Sequence, residues 1–343
     1  MSSSPARFVA VDLRQQSAMV GAVDAERRVV LKPRALAPAE LEPWLSRSLE
    51  PSDAVVIAAP ADSWQIHDRI APLVASVTIA HPQLSSLLPA SAAPGDPRDT
   101  IKLARLHAAG LVPALWVPPP YVRDMRALAA HRRRLLAQRA AARDTLHDLL
   151  RRHALRPPGA DRLGADRRDW WEAAGLPADD LARARASFVA LNRAEPLLAG
   201  VEERLRRRGA DAPWQPALAA LMRTPGMTEL NAVVLLSAIG DVERFPAADQ
   251  LAAYAGLAGR EPGENAREPN DGRREIRSTM LEVAWEAIAT DTRWRERFEQ
   301  LEGRIGRSRA IVATARKLLL VVWERLAEQR AQPAEEEQAR RAA

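Results

Sequence analysis

Three consecutive prolines, Pro118-Pro119-Pro120, split the chain into two kinds of sequence. Proline has no backbone N–H and a fixed φ, so neither a strand ladder nor a helix interior runs through such a triplet. Before it, short apolar runs bounded by charged turn residues alternate with amphipathic stretches. The pattern predicts strands over 8–13 (FVAVDL), 17–23, 28–32, 54–58 (AVVIA) and 77–80, and helices over 38–49, 64–74 and 99–109. Strands alternating with helices imply an α/β sheet domain. After the prolines the period changes to that of helices. A long helix is predicted over 121–153, with Met125, Leu128, Leu135, Ala142, Leu146 and Leu149 near heptad a and d positions and Arg132 and Arg139 interrupting the seam. The stretch 156–186 reads as irregular. A second helix over 188–208 can fold back antiparallel on the first, as a coiled coil or a looser pair. From Trp214 onward the pattern is helical, most clearly over 275–291 and 311–329. The expected class is therefore α/β plus all-α, divided at 1–118, 119–212 and 213–330, with a polar, disordered tail over 331–343.

At 343 residues two or three domains are expected. Aromatic residues are only 4% of the chain, so Leu, Ala and Val must do most of the packing. The net charge is +6 and the basic side is almost all arginine, Lys32, Lys102 and Lys317 being the only lysines. A sequence pI near 10.5 suits an anionic partner; GC-rich codon usage inflates Ala and Arg to the same effect. There is no cysteine, which excludes disulfide scaffolds, zinc fingers and thiol nucleophiles and fits a reducing cytoplasm. No signal-peptide core opens the chain, and no window approaches the roughly 20 apolar residues of a membrane span, so a soluble, intracellular protein is expected. The sequence holds no Walker lysine motif and no dinucleotide-binding glycine fingerprint.

Four local features carry chemistry. Pro225-Gly226 is a turn pair followed by an apolar helix with Ala232, Leu235, Leu236 and Ile239 at helical spacing. This is how a helix-hairpin-helix reads, with Pro225, Gly226, Met227 and Thr228 placed to hold a phosphate on exposed amides and a helix N-terminus. Arg132, Arg133 and Arg134, after His131, form one basic turn; Arg273 and Arg274, with Arg304, Arg307, Arg309, Arg316 and Lys317, form further basic clusters. Each can straddle phosphates or be an ordinary solvated face. Asp12 ends the first strand, and Asp96 and Asp99 open a helix; carboxylates from separated elements are what Mg²⁺ needs for phosphoryl transfer, although aspartates at helix starts are also common caps. Trp170-Trp171 with Leu176 suggests a small hydrophobic cap, and Trp285, Trp294 and Trp323 read as core.

Several separated motifs occur in one order: VDL at Asp12, DPRDTIKLARLHAAGLVPALWVPP from Asp96 to Pro119, the opening of the hairpin segment, and RAIVATARKLLLVVWERL over 309–326. In these the chain resembles the IS-one-ten family of insertion-sequence transposases, which includes the Piv and MooV DNA invertases. The resemblance implies an RNase H-like (RuvC-like) first domain with a DEDD carboxylate set, a coiled-coil helix pair, and a C-terminal helical domain that supplies a serine nucleophile. It also implies Mg²⁺, DNA as substrate, a structured guide RNA as partner, and a dimer or tetramer. By position Asp12 is the first acid, and Asp96 and Asp99 are the last two.

The chain departs from that pattern at two places. The second acid is expected just after the AVVIA strand, where Ala59 stands; Asp62 lies three residues further on. The serine is expected in a Ser-Gly turn after the Tyr254-Ala255-Gly256-Leu257 run, but residues 256–272 read GLAGREPGENAREPNDG and hold no Ser, Thr or Tyr. A covalent phosphoseryl step requires a hydroxyl at that place. Two readings follow: a DNA recombinase, and a nucleic-acid-binding protein on the same scaffold that no longer transfers strands.

Overall fold

The computed structural model describes residues 5–14, 17–58, 64–81, 97–156, 168–257 and 271–342. They form two compact units, Met1–Val117 and Pro118–Ala343.

The first unit is built on β1 (Arg7–Leu13), β2 (Ala18–Asp24), β3 (Val29–Leu36), β4 (Asp53–Ala58) and β5 (Ser76–Ile79). The sheet order is β3-β2-β1-β4-β5. β1 pairs antiparallel with β2, and β2 with β3, while β1/β4 and β4/β5 are parallel. Three helices accompany the sheet: α1 (Pro38–Ser48), α2 (Trp64–Ile70) and α3 (Pro97–Ala108). Side chains alternate across a strand. Val9 and Val11 therefore join Val20, Val55, Ile57, Leu45 and Ile70 on one face, and Ala10, Val23 and Val56 meet Ile101, Leu103 and Ala104 of α3 on the other. Both faces of β1 and β4 are covered, which is why their sequences read as continuous apolar runs. This mixed sheet is compatible with the RNase H-like expectation. Arg7 forks onto the fully buried Asp53 at 2.8 and 2.7 Å, tying the start of β1 to the start of β4. β3 was expected to end at residue 32 but runs through Pro33 to Leu36. An edge strand tolerates proline because one side of its ladder is unpaired.

The second unit is helical: α4 (Pro120–Arg152), α5 (Arg168–Ala173), α6 (Ala178–Ala210), α7 (Gln215–Leu221), α8 (Glu229–Ile239), α9 (Ala248–Tyr254), α10 (Asp271–Thr290), α11 (Thr292–Ile305) and α12 (Arg307–Ala342). Pro119 caps α4 and Pro120 is its first residue, where a missing N–H costs nothing. Ion pairs show that α4 and α6 run antiparallel: Asp124 with Arg208, Arg132 with Glu202, Arg143 with Glu195 and Arg152 with Asp180, at 3.4, 2.7, 3.6 and 3.8 Å. At one end Trp171 is buried among Leu146, Leu149, Phe188 and Leu191, with Trp170 and Leu176 packed against them, as the hydrophobic-cap reading expects.

Three segments differ from expectation. The stretch 156–186 contains α5 and the first turns of α6, which starts at Ala178. Asp179 and Asp180 in the first turn favour the helix dipole, and Asp180 also accepts from His153 at 2.8 Å. Residues 331–342, expected as a disordered tail, continue α12, in keeping with the helix propensity of Ala, Glu, Gln and Arg. Trp285, expected in the core, is 40% exposed, because α10 turns it outward to lie against Phe298 and under Arg307. Among the described residues no helix is long and apolar enough to cross a membrane.

Candidate functional site

α8 is the structural centre of the second unit. Every residue from Asn231 to Ile239 is buried, so the helix is a core post and not an amphipathic surface element. Both ends are finished by side chains. The Thr228 hydroxyl accepts from the Asn231 amide at 3.2 Å. At the other end Arg126 donates to the carbonyls of Ser237 and Ala238 at 2.8 and 2.9 Å, and Arg244 donates to Ile239 at 2.7 Å. Two guanidinium groups thus meet the negative end of the helix dipole. Neither was singled out in the sequence, because their carbonyl partners lie 111 and 5 residues away.

The turn before α8 is built for close packing. The Met227 amide returns to the Thr224 carbonyl at 3.1 Å, with proline and glycine between them, and Gly226 has φ +72°. A Cβ on Gly226 would overlap the backbone of α10 at Val283 and Ala287, so only glycine allows the two segments to touch. Met227 and Thr224 are buried and Pro225 is half-buried, while Thr228 is exposed. Of the four residues expected at a phosphate, the structure thus leaves Thr228 at the surface, with Glu229 in the first turn beside it.

The basic residues divide in the same way. Arg132 bridges to Glu202 at 2.7 Å, and Arg133 reaches Glu275 of α10 at 2.6 Å. Both hold the second unit together. Arg134, next in sequence, is exposed, as is Arg274; the Arg273 side chain lies outside the described residues.

In the first unit Asp12 sits near the end of β1, opposite Met19 of β2 and Ala58 of β4. Its Oδ2 accepts from Arg14 Nη2 at 2.6 Å and from Nε at 3.2 Å. Asp99, in the first turn of α3, accepts from Lys102 Nζ at 2.9 Å. Asp96, Ala59 and Asp62 lie outside the described residues. Among the described residues no three His, Cys, Asp or Glu side chains converge where a metal ion could be held. The described members of the expected Mg²⁺ set, Asp12 and Asp99, are each bonded to a cation. Arg14 and Lys102 were passed over in the sequence, although each lies within three residues of its acid and residues three apart share a helix face.

Comparison with known proteins bears on the second unit. Residues 218–299, from α7 into α11, match the model of the family described as Transposase IS116/IS110/IS902 family. Over this segment the chain is similar to that transposase family. A curated protein of Sinorhizobium fredii (strain NBRC 101917 / NGR234), named "Putative transposase y4rJ", is 33% identical over 121 residues. That alignment spans 32% of this chain and 30% of the relative. The transposase segment includes α8, the turn before it and α10. It also includes residues 256–272, whose sequence has no hydroxyl side chain; 258–270 lie outside the described residues. Three of the hydroxyls described around that stretch have structural partners. Ser237 is buried and donates to Val234, Thr228 caps α8, and Ser278 donates back to the carbonyls of Arg274 and Glu275 in its own helix at 2.9 and 3.1 Å.

Proposed function

We propose that this transposase-family protein binds DNA, and a structured guide RNA with it, without completing strand transfer. The observation that carries the reading is the hydroxyl-free run 256–272 inside the matched segment. The family resemblance calls for a serine there, and strand transfer through a phosphoseryl link needs that oxygen. Ser278 is the hydroxyl nearest in sequence on the C-terminal side, and it is back-bonded within α10. Retained binding is supported by the pI near 10.5 and by exposed arginines such as Arg134 and Arg274. Thr228, at the exposed N-terminus of α8, is the hairpin's contact in this reading, and the working form is a homo-oligomer, a dimer or tetramer.

No step of this function runs through Mg²⁺, because Asp12 and Asp99 already have cationic partners. The test uses end-labelled DNA carrying the sequences that flank the gene. Filter retention should be strong at low salt and fall steeply as salt rises, because neutralising phosphates releases counterions. A denaturing gel of the same mixture should show no protein-linked strand. A covalent adduct would reject the loss of transfer; no retention at low salt would reject the binding function.

A further inference from the structure

We infer that Arg14 and Lys102 are resident counter-ions for Asp12 and Asp99, so that these two acids are balanced without a divalent cation. The inference concerns the first unit and does not depend on nucleic-acid binding by the protein.

The pairing is built into local geometry. Asp12 is the penultimate residue of β1, and Arg14 is the first residue beyond the strand. The guanidinium directs two donors at one carboxylate oxygen, Nη2 at 2.6 Å and Nε at 3.2 Å. Arginine stays charged at any working pH, so this partner does not leave by losing a proton. Asp99 and Lys102 share a face of α3 at three-residue spacing, with Nζ at 2.9 Å from Oδ1. Each cation lies within three residues of its acid in the chain and needs no tertiary rearrangement to reach it.

Among the described residues, the cross-strand neighbours of Asp12 add no replacement ligand. Asp12 is flanked across the sheet by Met19 and Ala58, neither of which offers a side-chain oxygen. Hard divalent cations need about six oxygen ligands, and magnesium commonly takes one or two of them as carboxylates. An ion arriving at Asp12 would have to displace the Arg14 fork, and one arriving at Asp99 would lie beside the Lys102 ammonium. Two explanations of metal-free acids then compete: the alanine at position 59, and the two counter-ions.

Binding of Mn²⁺ to the 343-residue chain, read by the loss of the free-ion signal in electron paramagnetic resonance, separates them. Manganese favours the same oxygen ligands as magnesium. Three proteins are compared: the unaltered chain, Ala59→Glu, and Ala59→Glu combined with Arg14→Ser and Lys102→Ala. The unaltered chain and Ala59→Glu should show no saturable site at millimolar Mn²⁺. The combined variant should bind at least about tenfold more tightly, the usual scale for changing the groups around a metal ligand. The inference is overturned if Ala59→Glu alone binds as well as the combined variant. It is also overturned if the combined variant, with an unchanged circular dichroism spectrum, still takes up no Mn²⁺. Stoichiometric binding by the unaltered chain that disappears in Asp12→Asn would overturn it too.

Discussion

At the scale of single residues, similar-looking arginines and glycines have different work. Arg132 and Arg134 are neighbours in one basic turn, yet the first is bonded to Glu202 and the second is exposed. Arg132→Glu should therefore weaken the α4–α6 pair by about 1 kcal/mol, and the further change Glu202→Arg should restore it, as read from urea unfolding midpoints. Arg134→Glu should leave the midpoint unchanged and lower DNA retention at low salt. Equal loss of retention in the two single variants, with no difference in stability, would contradict this division. Gly226 is constrained twice, by its positive φ and by the α10 backbone. Gly226→Ala should destabilise the chain by about 3 kcal/mol, from left-handed strain together with overpacking. A midpoint within error of the parent would show that α8 and α10 do not touch there in solution.

At the scale of elements, α3 gives a pH dependence. His107 lies against Phe8 with ring centroids 5.7 Å apart, and its Nε2 is buried without a hydrogen-bond partner. Burial lowers its pKa below the usual histidine range. The unfolded chain therefore takes up the proton more readily than the folded one. The stability this group protects is present above about pH 6.5 and is lost as pH falls toward the lower folded-state pKa. His107→Leu should flatten the decline of the thermal midpoint between about pH 7 and pH 5; an equally steep decline would assign the sensitivity to other groups. Much of the element plan was legible from sequence. The strands from Arg7, Ala18 and Asp53 alternate or run apolar as buried strands must, and the prolines before Tyr121 mark the helix start because Pro119 and Pro120 occupy cap and first position. The start of α6 was not legible, since an Ala–Arg stretch after Pro177 has no apolar period until Phe188 packs it on α4. Trp285 misled for the opposite reason: helical spacing shows that a residue lies on a stripe, but not which stripe faces the core. The candidate site was legible by type more than by state. Asp12 and Asp99 stand out in the sequence, but whether a carboxylate is open or paired depends on partners such as Arg14, which attract attention only once the distances are known.

At the scale of the whole molecule, each unit has its own core: the strands of the first bury both sheet faces, and α8 is enclosed within the second. The fragment 118–343 expressed alone should keep its helical circular dichroism signal and a cooperative thermal transition; a non-cooperative melt would mean that the two cores are not separable. Within that unit two glycines allow close contacts, one with backbone and one with a side chain. Gly226 lies on α10 just before α8, and Gly209 of α6 lies against Val233 inside α8. Interlocks of this kind leave no slack for sliding. A nudge delivered at the Thr228 end of the post would be passed on as rigid displacement, to the long helix on one flank and along α10 on the other. The unit would answer a bound strand by tilting as a block, and its levers would be the two glycine joints.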